Sequence, residues 1–351
     1  MNKKTSLLNA AWQACKQWFA GCFLVSLAAI LVTATWCAER TVQGSSEERK
    51  AAERNLVSGP IQPIRITAQL DAAKVALGNK LFHDPILSKD NTVSCATCHL
   101  LGKGGADQRG RSLGIRRAEG AINAPTVFNS SLNFKQFWDG RAESLEDQVD
   151  GPALSLSEMG STWEEIVKKL IDSPSYRVDF EKLYRDGVKP ANVKNSIAEF
   201  ERSLLTPNAR FDKFLLGDDN AINAQEKSGY RKFRSFGCAS CHQGINVGGN
   251  MFETLGAMAD YFKDRGGLTQ ADLGRFNVTH KEDDRYVFKV PSLRNVELTA
   301  PYFHDGSMTT LGEAVQAMAK YQLGRPLSKG DVTDIVAFLK TLTGEYQGRK
   351  L

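Results

Sequence analysis

The sequence predicts a mostly α-helical protein built from two tandem domains of one plan, and three observations predict it. The pattern C-x-x-C-H occurs twice, at Cys95-Ala96-Thr97-Cys98-His99 and at Cys238-Ala239-Ser240-Cys241-His242. Each copy follows a helical segment and is followed by a glycine-bearing loop. Each half then closes on another apolar stripe at helical spacing. Two thiols three residues apart reach the two vinyl groups of one porphyrin, and the next histidine reaches its iron. Each half therefore reads as a cytochrome c-like domain carrying one covalently bound c-type haem.

The elements follow in order. Lys3, Lys4 and Lys16 precede an uncharged apolar run, Trp18–Cys37, long enough to span a bilayer with the N-terminus inside. Residues 1–38 are read either as a transmembrane anchor or as a signal peptide cut near Val32-Thr33-Ala34. A lipid anchor on Cys37 is disfavoured by the bulk of Trp36. Residues 39–60, polar and containing Gly44-Ser45-Ser46, read as a linker.

The first domain is assigned to 61–207. Leu70, Ala73, Leu77 and Leu81 form a helical stripe that proline interrupts near Asp84-Pro85. His83, at that end, reads as a surface histidine. After His99 comes a glycine-rich basic loop with Gly102, Gly104, Gly105, Gly110, Arg109, Arg111, Arg116 and Arg117, suited to wrap a haem edge. The aromatic cluster Phe134, Phe137 and Trp138 follows. Thr162 with Glu165 predicts a capping box ahead of Trp163, Ile166, Val167 and Leu170. A later helix carries Val193, Ile197, Phe200 and Leu204 and stops before Pro207.

The second domain, 208–351, repeats the plan. A helix around Glu226 to Phe233 leads into the motif, and Gly244, Gly248 and Gly249 follow it. Val332, Ile335, Val336 and Leu339 mark a closing helix that starts after Ser328, with Gly344 as its expected C-cap.

Composition narrows the function. The chain has 351 residues, 42% apolar and 24% charged, with a net charge of +5, too small for a nucleic-acid footprint. Four of its seven cysteines belong to the motifs; Cys15, Cys22 and Cys37 lie in or beside the N-terminal run, so none remains for a disulfide in the body. Attachment of c-type haem outside the inner membrane places the body in the periplasm, soluble or tethered.

The far side of each iron decides carrier or catalyst. In the second half Met308 and Met318 come late enough to be axial ligands. Met318 also shares a stripe with Leu311, Ala314 and Val315, which reads equally as core. The first half offers Met159, directly after Glu158, and a carboxylate facing an iron suggests chemistry on oxygen.

These residues resemble the bacterial di-haem cytochrome c peroxidases, with MauG-type enzymes as more distant relatives. The resemblance covers about residues 60 to 346. It rests on Leu81-Phe82-x-Asp84-Pro85, both haem motifs, Asn123-Ala124-Pro125-Thr126, Gln136-Phe137-Trp138-Asp139-Gly140-Arg141, Glu158-Met159, Leu298-Thr299-Ala300-Pro301-Tyr302-Phe303-His304 and the closing segment DIVAFLKTLTG. It implies that the haem on Cys95, Cys98 and His99 is the low-potential, peroxidatic one. It implies Glu158 as distal acid and base, Gln148 as hydrogen-bonding amide, and Trp138 as electron relay. It implies a high-potential haem on Cys238, Cys241 and His242, with Met318 as its second ligand at the family's interval after His304. Asn123, Thr299 and Pro301 match the positions that hold a calcium ion, which suits an oxygen-only site.

The implied activity is reduction of hydrogen peroxide to water with electrons from a small donor, whether cytochrome c, cupredoxin or quinol. Many members cap the first iron with a histidine in a Ser-x-Gly-His run. Here the run is Ser112-Leu113-Gly114-Ile115, so the first haem is expected to be open at rest, with Met159 the one local residue able to spoil this. Two alternatives stay open: a di-haem electron carrier without catalysis, and a MauG-like oxidase of protein side chains, for which Tyr321 would have to replace Met318. Family members are often dimers, which leaves a homodimer open.

Overall fold

Asp71 accepts hydrogen bonds from the N–H groups of Ala73 and Lys74 and starts helix α1, Ala72–His83, which ends at Asp84 ahead of Pro85. Leu77, Leu81 and Phe82 are buried on one side of it. This is the first helix of the computed structural model, which describes residues 59–66 and 69–351. The run Trp18–Cys37, with its anchor and signal-peptide readings, lies outside the described residues, as do Cys15, Cys22 and Cys37. Among the described residues no helix is long and apolar enough to cross a membrane.

Two short helices, α2 (Leu145–Gln148) and α3 (Asp150–Leu154), lead to α4 (Trp163–Asp172) and α5 (Pro174–Leu183). Thr162 caps α4 by accepting the Glu165 N–H at 3.2 Å. The reciprocal half of the expected capping box is not made: the Glu165 carboxylate turns instead to the Ser161 hydroxyl at 3.3 Å. Helix α6 (Pro190–Ser203) completes the first half, and its Val193, Ile197 and Phe200 are buried as the stripe predicts.

The second half holds α7 (Arg210–Leu215), α8 (Ala224–Ser235), α9 (Leu311–Tyr321) and α10 (Lys329–Lys340). A small antiparallel pair, β1 (Phe252–Thr254) and β2 (Val287–Lys289), sets Phe252 opposite Lys289. Ser328 caps α10 as expected, but that helix ends at Thr341. Gly344 is therefore not its cap. A side chain there would meet the Thr206 carbonyl at 2.0 Å, so glycine lets the closing segment pass under the connection between the halves.

The same contact is built twice. α1 crosses α6 at Gly78, where a Cβ would lie 1.9 Å from the Ser196 carbonyl oxygen. α8 crosses α10 at Gly229, where a Cβ would lie 1.9 Å from the Asp334 carbonyl oxygen. One turn after each glycine a phenylalanine meets a phenylalanine of the partner helix: Phe82 with Phe200 at 5.1 Å, and Phe233 with Phe338 at 5.2 Å between ring centroids. Each crossed pair backs one C-x-x-C-H segment.

Polar groups join the halves. The Thr206 hydroxyl accepts from Asn129 Nδ2 at 2.7 Å and from Asn295 Nδ2 at 3.0 Å. Asn246 Nδ2 donates to Asn133 Oδ1 at 2.9 Å. Arg294, 1% exposed, donates to Asp212 at 2.6 Å, to the Ile245 carbonyl at 3.0 Å and to the Gln62 carbonyl at 2.8 Å. It thus holds the first described residues against the second haem motif's loop, and Pro60–Leu351 forms one compact unit.

Candidate haem sites

The Cys238–His242 segment opens on a cavity of about 510 Å³. Cys238, Cys241 and His242 line it, and so do Phe233 of α8 and Ile335 and Leu339 of α10. The stripe Leu311, Ala314, Val315 and Met318 of α9 forms another part of its wall. That stripe, which periodicity alone reads as core, faces the cavity. Met308 and Tyr321 belong instead to a neighbouring aromatic cluster. The Tyr321 ring packs on Tyr261 at 5.2 Å and its hydroxyl donates to Asp264 at 3.1 Å.

The cavity suits a covalently attached haem. Its lining is mainly apolar, two unpaired thiols stand beside a histidine, and a thioether lies on the same cavity's wall. His242 is half-buried beside the Val247 and Pro291 backbones, and burial lowers its pKa to about 4 against their pull. It is thus held neutral, the form that ligates iron.

In the first half Cys95–Cys98 is one helical turn. His99 Nδ1 lies 3.3 Å from the Gly105 carbonyl oxygen, which fixes the tautomer that leaves Nε2 free. Burial lowers the His99 pKa and pushes the Cys95 thiol up to about 12. Cys98 is raised too, mainly by burial, with Asp107 and Glu158 adding to the effect. Glu158 thus comes within electrostatic reach of the motif. Its own pKa is raised by burial, against the pull of Arg141 and Ser155. Gln148 is half-buried at the end of α2, and no hydrogen bond within the described residues ties up its amide.

The loop bearing Ile115 is locked to the Glu158 loop. The Ile115 N–H donates to the Glu158 carbonyl at 2.8 Å. A Cβ on Gly114 would lie 2.1 Å from the Ser157 carbonyl oxygen, so only glycine permits this approach. Ile115 and Met159 are buried together in one apolar cluster with Leu77 and Leu81.

Trp138 lines the same cavity as His242. Its Nε1 donates to the Asn123 carbonyl at 2.9 Å, and its own carbonyl accepts from the Lys289 N–H at 2.7 Å. His304 is 2% exposed, lies 6.4 Å from the Trp138 ring and donates from Nε2 to Asp272 at 2.7 Å. Asp272, His304 and Asp305 are close enough to hold a metal ion, but Arg265 pairs with both carboxylates. Asn123, Thr299 and Pro301 all line the same cavity. Asn123 Nδ2 donates to the Arg109 carbonyl at 2.8 Å, which leaves Oδ1 available. His83 and His280 are exposed.

Sequence reading missed Lys289 and the His304–Asp272–Arg265 chain. Lys289 had a signal: it is the lone charge in the otherwise apolar run Val287–Pro291. Asp272 and Arg265 had none, because they meet His304 only through tertiary folding.

Comparison with known proteins agrees with this geometry. Residues 72–220 match the family described as di-haem cytochrome c peroxidase. The chain is 49% identical over 312 residues to cytochrome c peroxidase Ccp of Escherichia coli K12, covering 89% of this chain and 66% of that one. It is 46% identical over 293 residues to cytochrome c551 peroxidase of Nitrosomonas europaea, covering 83% of this chain and 86% of that one. Among solved structures, a MauG-like protein associated with microbial copper homeostasis superposes with a TM-score of 0.70 at 27% identity, covering 82% of this chain and 94% of the other. Two C-x-x-C-H sites, each backed by its own crossed helix pair, and matches of this depth lead to one conclusion: the chain belongs to the di-haem cytochrome c peroxidase family, with MauG-like proteins as more distant relatives.

Proposed function

We propose that this protein reduces hydrogen peroxide to two waters, taking two protons and two electrons, the electrons from a small periplasmic donor. In this reading 61–207 and 208–351 are tandem cytochrome c-like domains. Cys95, Cys98 and His99 hold the first haem; Cys238, Cys241, His242 and Met318 hold the second. Bound there, the haems supply an iron that binds peroxide and a store for electrons.

The protein's own groups handle the protons. Glu158 takes the proton from the near oxygen of peroxide and returns it to the far one, so that the leaving group departs as water. Burial raises its proton affinity, which brings it toward that of the groups it serves. Gln148, with its amide unengaged, orients the peroxide and stabilises charge as the O–O bond opens. Trp138, pinned by Asn123 and Lys289, relays electrons from the second site to the first. Asn123, Thr299 and Pro301 supply oxygen atoms suited to calcium beside that relay.

The observation that carries this reading is the half-buried carboxyl of Glu158 within electrostatic reach of the first haem motif. Met318 on the cavity wall, with Tyr321 turned away to Asp264, favours a peroxidase over an oxidase of protein side chains. The test is Glu158→Gln, assayed as the holoprotein with both haems retained. Peroxide turnover is expected to fall about 100-fold or more; unchanged turnover removes Glu158 from the mechanism.

A further inference from the structure

We propose that Lys289 binds a propionate of the second haem and holds that haem's potential high. The inference rests on the reading of the Cys238 cavity as the second haem's site.

Lys289 is 7% exposed and lines that cavity. It is the one lysine or arginine among the lining residues. Its backbone is fixed on both sides, with Phe252 opposite it in the β1–β2 pair and the Trp138 carbonyl accepting its N–H at 2.7 Å. Among the described residues no carboxylate and no carbonyl partners its ammonium group. Burial alone acts on it, lowering its pKa to about 8.

An unpaired buried ammonium is costly, and such groups persist where an anion completes the site. The cavity's one acidic lining residue, Glu253, is spoken for elsewhere: its carboxyl lies against Cys241, at the end where thioethers form. A porphyrin attached through its vinyl groups carries its propionates on the other edge. The cavity therefore holds one acid, set against a cysteine, and one cation that no carboxylate of the described residues neutralises.

The pairing has a redox consequence. Positive charge near iron favours the ferrous state, so the Lys289–propionate pair raises the potential. The same residue's N–H holds Trp138, which couples anchoring of the haem to placement of the relay.

The test is spectroelectrochemical titration of the holoprotein for wild type, Lys289→Gln and Lys289→Arg, after haem staining has counted attached haems. Lys289→Gln is expected to move the high-potential midpoint downward, and Lys289→Arg to leave it near wild type. Selective loss of the second haem from Lys289→Gln, with both haems kept in Lys289→Arg, supports the same anchor. Equal midpoints in wild type and Lys289→Gln overturn the inference, as does loss of the second haem from both variants. A wild-type holoprotein with no haem on Cys238 and Cys241 overturns the cavity reading itself, and the inference with it.

Discussion

Glu201 shows how much a single buried group decides near the first site. It is 6% exposed on α6, and its Oε2 has no hydrogen-bond partner. Burial raises its pKa to about 8, Glu146 adding to the effect and Arg202 opposing it, and its field reaches Cys95. The folded protein thus binds this proton more tightly than the unfolded chain, whose glutamate titrates near 4.5. The stability it contributes is fully present below that value and is lost as pH rises through about 8. Denaturant melts between pH 5 and pH 8.5 are expected to show wild type losing a few kcal/mol relative to Glu201→Gln, because each pH step of one between those two values removes about 1.4 kcal/mol. Parallel curves would show that Glu201 does not titrate in this range. Two residues lining the second cavity are strained as well: Phe137 and Phe303 have φ of 68° and 70° and directly precede Trp138 and His304. Bulky side chains in this region cost about 1–3 kcal/mol each. Phe137 is held there between the Arg141 guanidinium, 3.5 Å from its ring, and Gly151.

At the scale of elements, the loop Ser112–Ala118 and the segment Ser155–Gly160 act as one piece. A Cβ on Gly160 would lie 2.4 Å from Ile115, and the Gly114 N–H donates to the Ala118 carbonyl at 2.8 Å, closing the loop on itself. Ile115 carries no atom able to ligate iron, and its side chain contributes to the core instead. Met159 is likewise 3% exposed within that core. The oxidised holoprotein is therefore expected to show a high-spin signal by electron paramagnetic resonance, and to turn over peroxide without prior reduction. Low-spin iron at both haems would overturn the open-site reading. The helix stripes themselves were partly legible: α6 and α10 lie where apolar periodicity places them, while in α1 Leu77 and Leu81 are buried but Ala73 is exposed and Leu70 precedes the helix. The crossing glycines Gly78 and Gly229 were not, because glycine inside a helix reads only as a weak point until a partner backbone is known to press on it.

At the scale of the whole molecule, Arg294 is the clasp between segments far apart in the chain. It joins α7 through Asp212, the loop after the second motif through Ile245, and the N-terminal edge through Gln62. Arg294→Met leaves the Asp212 carboxyl buried without its cation, and a loss of about 3–5 kcal/mol is expected in thermal or denaturant unfolding. Adding Asp212→Leu is expected to recover most of that loss; no recovery would show that the backbone contacts, not the charge pair, hold the clasp.

By itself the sequence determined what is local: thiols and histidine at haem-attaching spacing, helices with an apolar face, and Ser328 and Thr162 as caps. These follow from covalent geometry and from periodicity along one segment. The tertiary structure decided which apolar stripe is core and which is cavity wall, since Met318 and Leu170 read alike until the facing elements are in place. It also decided that Gly344 relieves a crossing and is no helix cap, that Ile115 and Met159 fill one core, and that Lys289 stands alone at the second site. Each of these depends on groups brought together from distant parts of the chain, and no spacing within one segment encodes them.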